Sequence, residues 1–222
     1  MNVYLASPNT QQQAEHASGM PVLLSYACYS PWLDRYQQSF RRILIDSGAY
    51  SEMNSGKKID VKAYIEWSKR WDGHADAVAG LDDIGGDWRR SIDNYKHGGF
   101  PTFHDTDPPE LLSDLVGLAR ERGGWLGLGL MPPRHNKESW IRAVCDQIPD
   151  GIHVHGWALR AYTHVRRLDS VDSTNWWRDG MMMAKKLPWL TYGECLDIVV
   201  KRYARETRQI ADSEANIFEQ AI

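Results

Sequence analysis

Short, nearly unbroken apolar runs alternate with longer amphipathic stretches along the chain. The short runs fall at residues 3–6, 22–27, 43–46, 75–81, 100–103, 125–130, 152–155 and 170–172. Runs of this length, β-branched or continuously apolar, predict strands buried on both faces, as in a parallel sheet. Between them the apolar positions take a helical period. Over 60–71, Val61, Tyr64, Ile65 and Trp67 share one face, with Asp60 placed to cap the start. Residues 109–122 open on prolines, carry Leu111, Leu112, Leu115, Val116 and Leu118, and stop at Gly123-Gly124. Residues 136–147 and a long final segment from Thr191 complete the set. Thr191 and Glu194 have the spacing of a capping box.

Eight strands separated by helices predict an α/β fold and, by count, a compact (β/α)8 TIM barrel; an open doubly wound sheet is the alternative. No linker, low-complexity tract or composition shift divides residues 1–222, so the expectation is a single domain. At 222 residues the chain is near the lower limit for a complete barrel.

Composition narrows the function classes. With 42% hydrophobic and 25% charged residues, and no apolar run of membrane-spanning length, the chain reads as soluble and cytoplasmic. Cys28, Cys145 and Cys195 are far apart, which argues against a disulfide framework and a cysteine-rich zinc site. The net charge of −3 gives no global basic signature for nucleic acid, and the pairs Arg41-Arg42, Arg89-Arg90, Arg166-Arg167 and Lys185-Lys186 are weak evidence for a polyanion partner. Gly85-Gly86 lacks the Gly-Lys-Ser/Thr of a phosphate loop, and Gly127-x-Gly129 lacks the third glycine of a dinucleotide fingerprint. Met181-Met182-Met183 reads as packing.

In a barrel the active site gathers at the C-terminal strand ends, so the polar residues that end the apolar runs are the candidates. They are Asp46, Asp82-Asp83, His104 and Asp105, the glycines 127 and 129, His153 and His155, and Asp172. One strand-end aspartate is ordinarily a helix N-cap; three separate ones point to a carboxylate-based site. Paired carboxylates suit glycosyl transfer, with one as nucleophile at an anomeric carbon and the other moving the proton of the leaving group. Gly127 and Gly129 would let backbone approach a flat ligand, or would simply serve a tight strand. His153 and His155 point to one side of their strand, and with His104 they form an alternative, a metal-dependent hydrolase site. A silent purine-binding or nucleic-acid-binding barrel is the third reading.

The motifs Asp46-Ser47-Gly48-Ala49-Tyr50-Ser51, Leu81-Asp82-Asp83-Ile84-Gly85, residues 127–132, His155-Gly156 and Ser170 to Trp176 resemble, in that order, the tRNA-guanine transglycosylase superfamily. They look closest to the DpdA-type enzymes that insert 7-deazaguanine bases into DNA. The resemblance implies Asp172 as nucleophile at C1′ and Asp46 as general acid/base. It implies Asp82, with Asp83, as reader of the purine edge, and a base pocket completed by Ser47, Gly48, Gly127, Gly129, Leu130, His155 and Gly156. It implies no cofactor, and as partners DNA and a 7-deazaguanine such as preQ0, with tRNA or a nucleoside as other acceptors and an accessory protein or homodimer to assist docking. The cysteine-rich zinc site of the tRNA enzymes has no counterpart after Trp177. Trp176 and Trp177 are placed either to stack on flanking bases or to pack beneath a loop.

Overall fold

The computed structural model describes residues 1–84, 86–129, 137–162, 164–165 and 167–219. Among the described residues eight strands form: β1 (Asn2–Ala6), β2 (Pro21–Ser25), β3 (Arg42–Asp46), β4 (Ala75–Val78), β5 (Thr102–His104), β6 (Trp125–Gly129), β7 (His153–Gly156) and β8 (Ser170–Ser173). Around them lie the helices α1 (Gln11–His16), α2 (Ala49–Ser55), α3 (Val61–Ser68), α4 (Trp88–Tyr95), α5 (Leu111–Glu121), α6 (Lys137–Cys145), α7 (Asn175–Lys186) and α8 (Tyr192–Glu219). Each expected strand is present, shifted by a few residues at its ends. The apolar run at 22–27 yields a strand only to Ser25, after which Tyr26–Cys28 turns as a 3-10 helix.

The strands make one curled, all-parallel sheet in the order β4-β3-β2-β1-β8-β7-β6-β5. Sequence neighbours are sheet neighbours except for β4 and β5, which form the two edges, and β8 lies against β1. A doubly wound sheet instead reverses its strand order at a switch point, so that alternative does not describe this chain. The edge strands β4 and β5 approach each other just beyond the paired region. Ala79 and Phe100 form a parallel bridge, Phe100 N–H donates to Val78 C=O at 2.8 Å, and Gly80 N–H donates to Phe100 C=O at 2.8 Å.

Alternation along the strands sorts the core into two sets. Val3, Leu5, Val22, Leu24, Ile43 and Ile45 pack toward the helices in the larger cluster. Tyr4, Ala6, Leu23, Leu44, Ala79, Phe100 and Trp125 fill the concave side, with Trp157 against them. Asp46 shares the parity of Leu44, and Asp172 is the register partner of Tyr4, so both carboxylates belong to the concave set.

The expected caps are made. Asp60 accepts from Lys62 N–H and Ala63 N–H at the start of α3. Thr191 N–H donates to Glu194 Oε2 at 2.7 Å, and Glu194 N–H donates to Thr191 Oγ1 at 3.3 Å, closing the capping box before α8. Of the methionine triplet on α7, Met183 packs on the core, whereas Met181 and Met182 are exposed, because consecutive helical positions cannot all face inward. Among the described residues no helix is long and apolar enough to cross a membrane.

Candidate active site

A cleft of about 630 Å³ opens at the C-terminal strand ends, within the size range of small-molecule sites. Asp46 ends β3, Asp82 follows β4, Asp172 lies in β8, and all three line it with Ser47, Gly48, His104 and Gly129. None of the three aspartates caps a helix: the residues preceding α2, α4 and α7 are Gly48, Asp87 and Thr174. Their burial is therefore without the ordinary explanation of a strand-end aspartate.

Asp46 is half-buried beside its register partner Ser25. Burial drives its carboxyl from an ordinary 3.8 up to about 6; hydrogen bonds from the Ser25 hydroxyl and the Gly48 N–H act the other way, and the charges of Asp82 and Asp172 push it up further. Gly48 has φ +87°, and a side chain there would overlap Ala27 Cβ, so glycine is required where the chain turns from β3 into α2. Ser47, also buried, accepts from Ala49 N–H at 3.3 Å.

Asp82 and His104 form a buried pair, Oδ2 to Nε2 at 2.7 Å. Burial lowers the His104 imidazole, but the hydrogen bond and charge of Asp82, with Asp107 and Asp105, leave it raised overall. His104 Nδ1 is buried and makes no hydrogen bond within the chain. Gly129 is bare because a Cβ would overlap this ring, and Gly127 because one would overlap Trp157 Nε1. These glycines make room for His104 and Trp157. Gly127 is not in the cleft wall itself, whereas Gly129 is. Leu130 lies outside the described residues, as do Gly85 and residues 131–132 of the quoted motifs.

Asp83 turns away from Asp82: it lies 3.3 Å from Arg90 Nη1 and accepts from Asp87 N–H at 3.4 Å. Arg90 also pairs with buried Glu52 at 2.9 Å, so Asp83 belongs to the brace between α2 and α4. His155 and Gly156 sit behind the cleft wall. His155 is fully buried, and a Cβ on Gly156 would stand 2.9 Å from Leu159 Cδ1.

Asp172 Oδ1 accepts from Ala158 N–H at 2.7 Å and lies 3.4 Å from His155 Nε2. Ala158 has φ +54°, an uncommon conformation for a residue with a side chain, and it turns that N–H onto the carboxylate. Trp157, Ala158 and Ser25 line the cleft and carry no signal as single letters; only Trp157, directly after His155-Gly156, follows a quoted motif. Of the two tryptophans on α7, Trp176 is buried and donates Nε1–H to Ala6 C=O at 3.0 Å, so it packs. Trp177 lines the cleft rim with Tyr50, Met53 and Arg178.

The histidines considered for a metal do not meet. His104 bonds Asp82, while His153 and His155 both bond Ser170 Oγ, at 2.7 and 2.8 Å. Among the described residues no three His, Cys, Asp or Glu side chains are arranged to hold an ion. All three cysteines are free thiols.

Comparison of the chain with protein-family models, with curated proteins and with solved structures gives no match.

Proposed function

We propose that the chain is a base-exchange transglycosylase that replaces guanine in DNA by a 7-deazaguanine base through a covalent aspartyl-glycosyl intermediate. The observation that carries this reading is the shared cleft of Asp46 and Asp172, with Asp46 held at about 6. At that value one carboxyl can both give and take a proton near neutral pH, as an exchange requires. The proposal takes the curled sheet as a closed (β/α)8 barrel whose last seam is the Ala79–Phe100 bridge.

In the first displacement Asp172 bonds to C1′, the C1′–N bond breaks, and the departing base takes the proton of Asp46. In the second, Asp46 removes a proton from the incoming base, whose nitrogen attacks C1′ and releases Asp172. Two displacements retain the anomeric configuration. Asp82, fixed by His104, accepts from the exocyclic amine and ring N–H of the purine, and His104 Nδ1 offers a further polar contact. Ala6, Leu23, Ala79 and Gly80 form flat, apolar walls suited to a base. The target nucleotide must leave the helical stack to reach C1′. Tyr50 and Trp177 at the rim are stacking surfaces for its neighbours, and Arg178, placed over the Trp177 ring, meets the backbone.

The test is incubation with labelled 7-deazaguanine bases and, separately, DNA, tRNA and nucleoside acceptors. The expected result is incorporation into DNA and a denaturation-resistant protein–DNA adduct that disappears in Asp172→Asn. Exchange at the wild-type rate by Asp172→Ala, or purine binding with no guanine released to any acceptor, would overturn the reading.

A further inference from the structure

A hydrogen-bonded chain of His153, Ser170 and His155 runs between β7 and β8 and points at Asp172, and the exchange as described does not use it. His153 Nε2 lies 2.7 Å from Ser170 Oγ, Ser170 Oγ lies 2.8 Å from His155 Nδ1, and His155 Nε2 lies 3.4 Å from Asp172 Oδ1. Strand parity assembles it: 153 and 155 alternate on β7, 170 and 172 on β8, and β7 pairs with β8 at His155 and Ser170. His155 is fully buried, yet its Nε2 completes no hydrogen bond. A polar atom left so at that depth is costly and calls for a reason. Tyr4 and Trp157 pack edge-on against the imidazole and hold its plane.

We infer that His155, oriented by Ser170 and His153, is a positioning residue that donates Nε2–H to Asp172 Oδ1. Together with Ala158 N–H it makes a two-donor cradle for that oxygen, and Oδ2 is then the atom that bonds C1′. The inference rests on the transglycosylase reading above.

The direction of the chain is set at its Asp172 end, where an ionised carboxylate oxygen beside His155 Nε2 accepts and cannot donate. Burial, then the nearby His155, Arg42 and N-terminal charges, push His153 down to about 3, so it carries a single ring proton at neutral pH. With Nε2–H turned to the carboxylate, His155 Nδ1 accepts from Ser170 O–H, and Ser170 Oγ in turn accepts Nε2–H from His153. The opposite tautomer would set a bare nitrogen lone pair against a carboxylate oxygen.

The cradle acts on both displacements. In the first, an oxygen fixed by two donors leaves its partner aimed at the sugar. In the second, the C1′–Oδ2 bond breaks with its electron pair returning to Asp172, and the charge spreads onto Oδ1, where two N–H groups meet it. Donors bind a carboxylate more tightly than an ester carbonyl, so they favour the transition state over the intermediate. At 3.4 Å the two atoms are short of a full hydrogen bond, and the inferred role requires them to draw closer in the substrate complex.

Two measurements decide it. Imidazole ¹⁵N NMR of the full chain should place the His155 proton on Nε2; a proton on Nδ1 overturns the inference whatever reaction the protein performs. The kinetic arm compares His155→Gln, whose amide nitrogen replaces Nε2, with His155→Asn, whose amide nitrogen replaces Nδ1. With near-ultraviolet circular dichroism unchanged, His155→Asn should lose on the order of a hundredfold in kcat, the scale of removing one oxyanion donor, with KM falling as the protein–DNA adduct accumulates. His155→Gln should recover most of that loss. Equal losses in both variants would overturn the positioning role. Failure of the transglycosylase reading shows separately, as wild-type protein that forms no adduct.

Discussion

Ser25 and Gly48 both donate to Asp46, yet burial and the adjacent charges of Asp82 and Asp172 leave its carboxyl near 6 rather than 3.8. A group whose pKa is higher in the folded state binds its proton more tightly there. Its contribution to stability is complete below about pH 3.8 and is lost as pH rises through about 6. Above that, ionised Asp46 costs the fold up to about 3 kcal/mol. Asp46→Asn should therefore raise urea-unfolding stability by that order at pH 8 and change it little below pH 4, while kcat falls by about 10²- to 10⁴-fold. A variant that is no more stable at pH 8 than wild type would contradict this assignment. Gly48→Ala meets both a left-handed φ and the Ala27 side chain, so it should lose more than about 2 kcal/mol in the same assay. Much of this site is legible in the sequence, because three separate carboxylates ending apolar runs are more than helix capping accounts for. The sequence does not separate Asp82 from Asp83, since their divergence is settled by distant partners, His104 for one and Arg90 for the other. Nor does it tell that Gly127 and Gly129 are vacated for Trp157 and His104, because the size of a neighbour across a sheet leaves no mark on the glycine itself.

Between β3 and β4, α2 carries the cleft residues Tyr50, Met53 and Asn54 and is anchored by one buried carboxylate. Glu52 accepts from Lys58 Nζ at 2.9 Å, from Ile59 N–H at 2.6 Å and from Arg90 Nη2 at 2.9 Å. Burial raises its carboxyl, and these donors more than offset that, so Glu52 is lowered overall. Glu52→Gln weakens the charged contacts and should cost about 1–3 kcal/mol. It should also speed hydrogen exchange in α2 far more than in α5; uniform exchange across both helices would show that the brace acts only globally. Elements bounded by strong local signals are legible in advance: the Asp60 cap, the Thr191–Glu194 box and the buried strands all depend on residues close in sequence. The run at 22–27 shows the opposite case. Its apolar pattern continues past Ser25, but Ser25 is needed against Asp46, 21 positions away, and the strand gives way to a 3-10 turn there.

Across the whole molecule the sheet curls until the segments beside its edge strands β4 and β5 touch through a few backbone contacts, with Ala79 bridging Phe100. Gly99, with φ +79°, sits where a side chain would overlap Gly80 N and come within 2.6 Å of Ala79 O. Gly99→Ala should part this seam, lowering stability by more than about 3 kcal/mol and exposing the Gly80 and Phe100 amides to exchange ahead of those in β1 and β2. If those amides stay protected, the seam bears no strain. The opposite side of the sheet carries a different implication. β8 is the last strand among the described residues, yet it docks against β1, the first of them, with Tyr4 beside Asp172. A ribosome therefore releases the two carboxylates at 46 and 82 long before the one at 172 can take its place. Any reactivity that needs Asp172 is withheld from the growing polypeptide, and its onset coincides with the docking of β8 on β1.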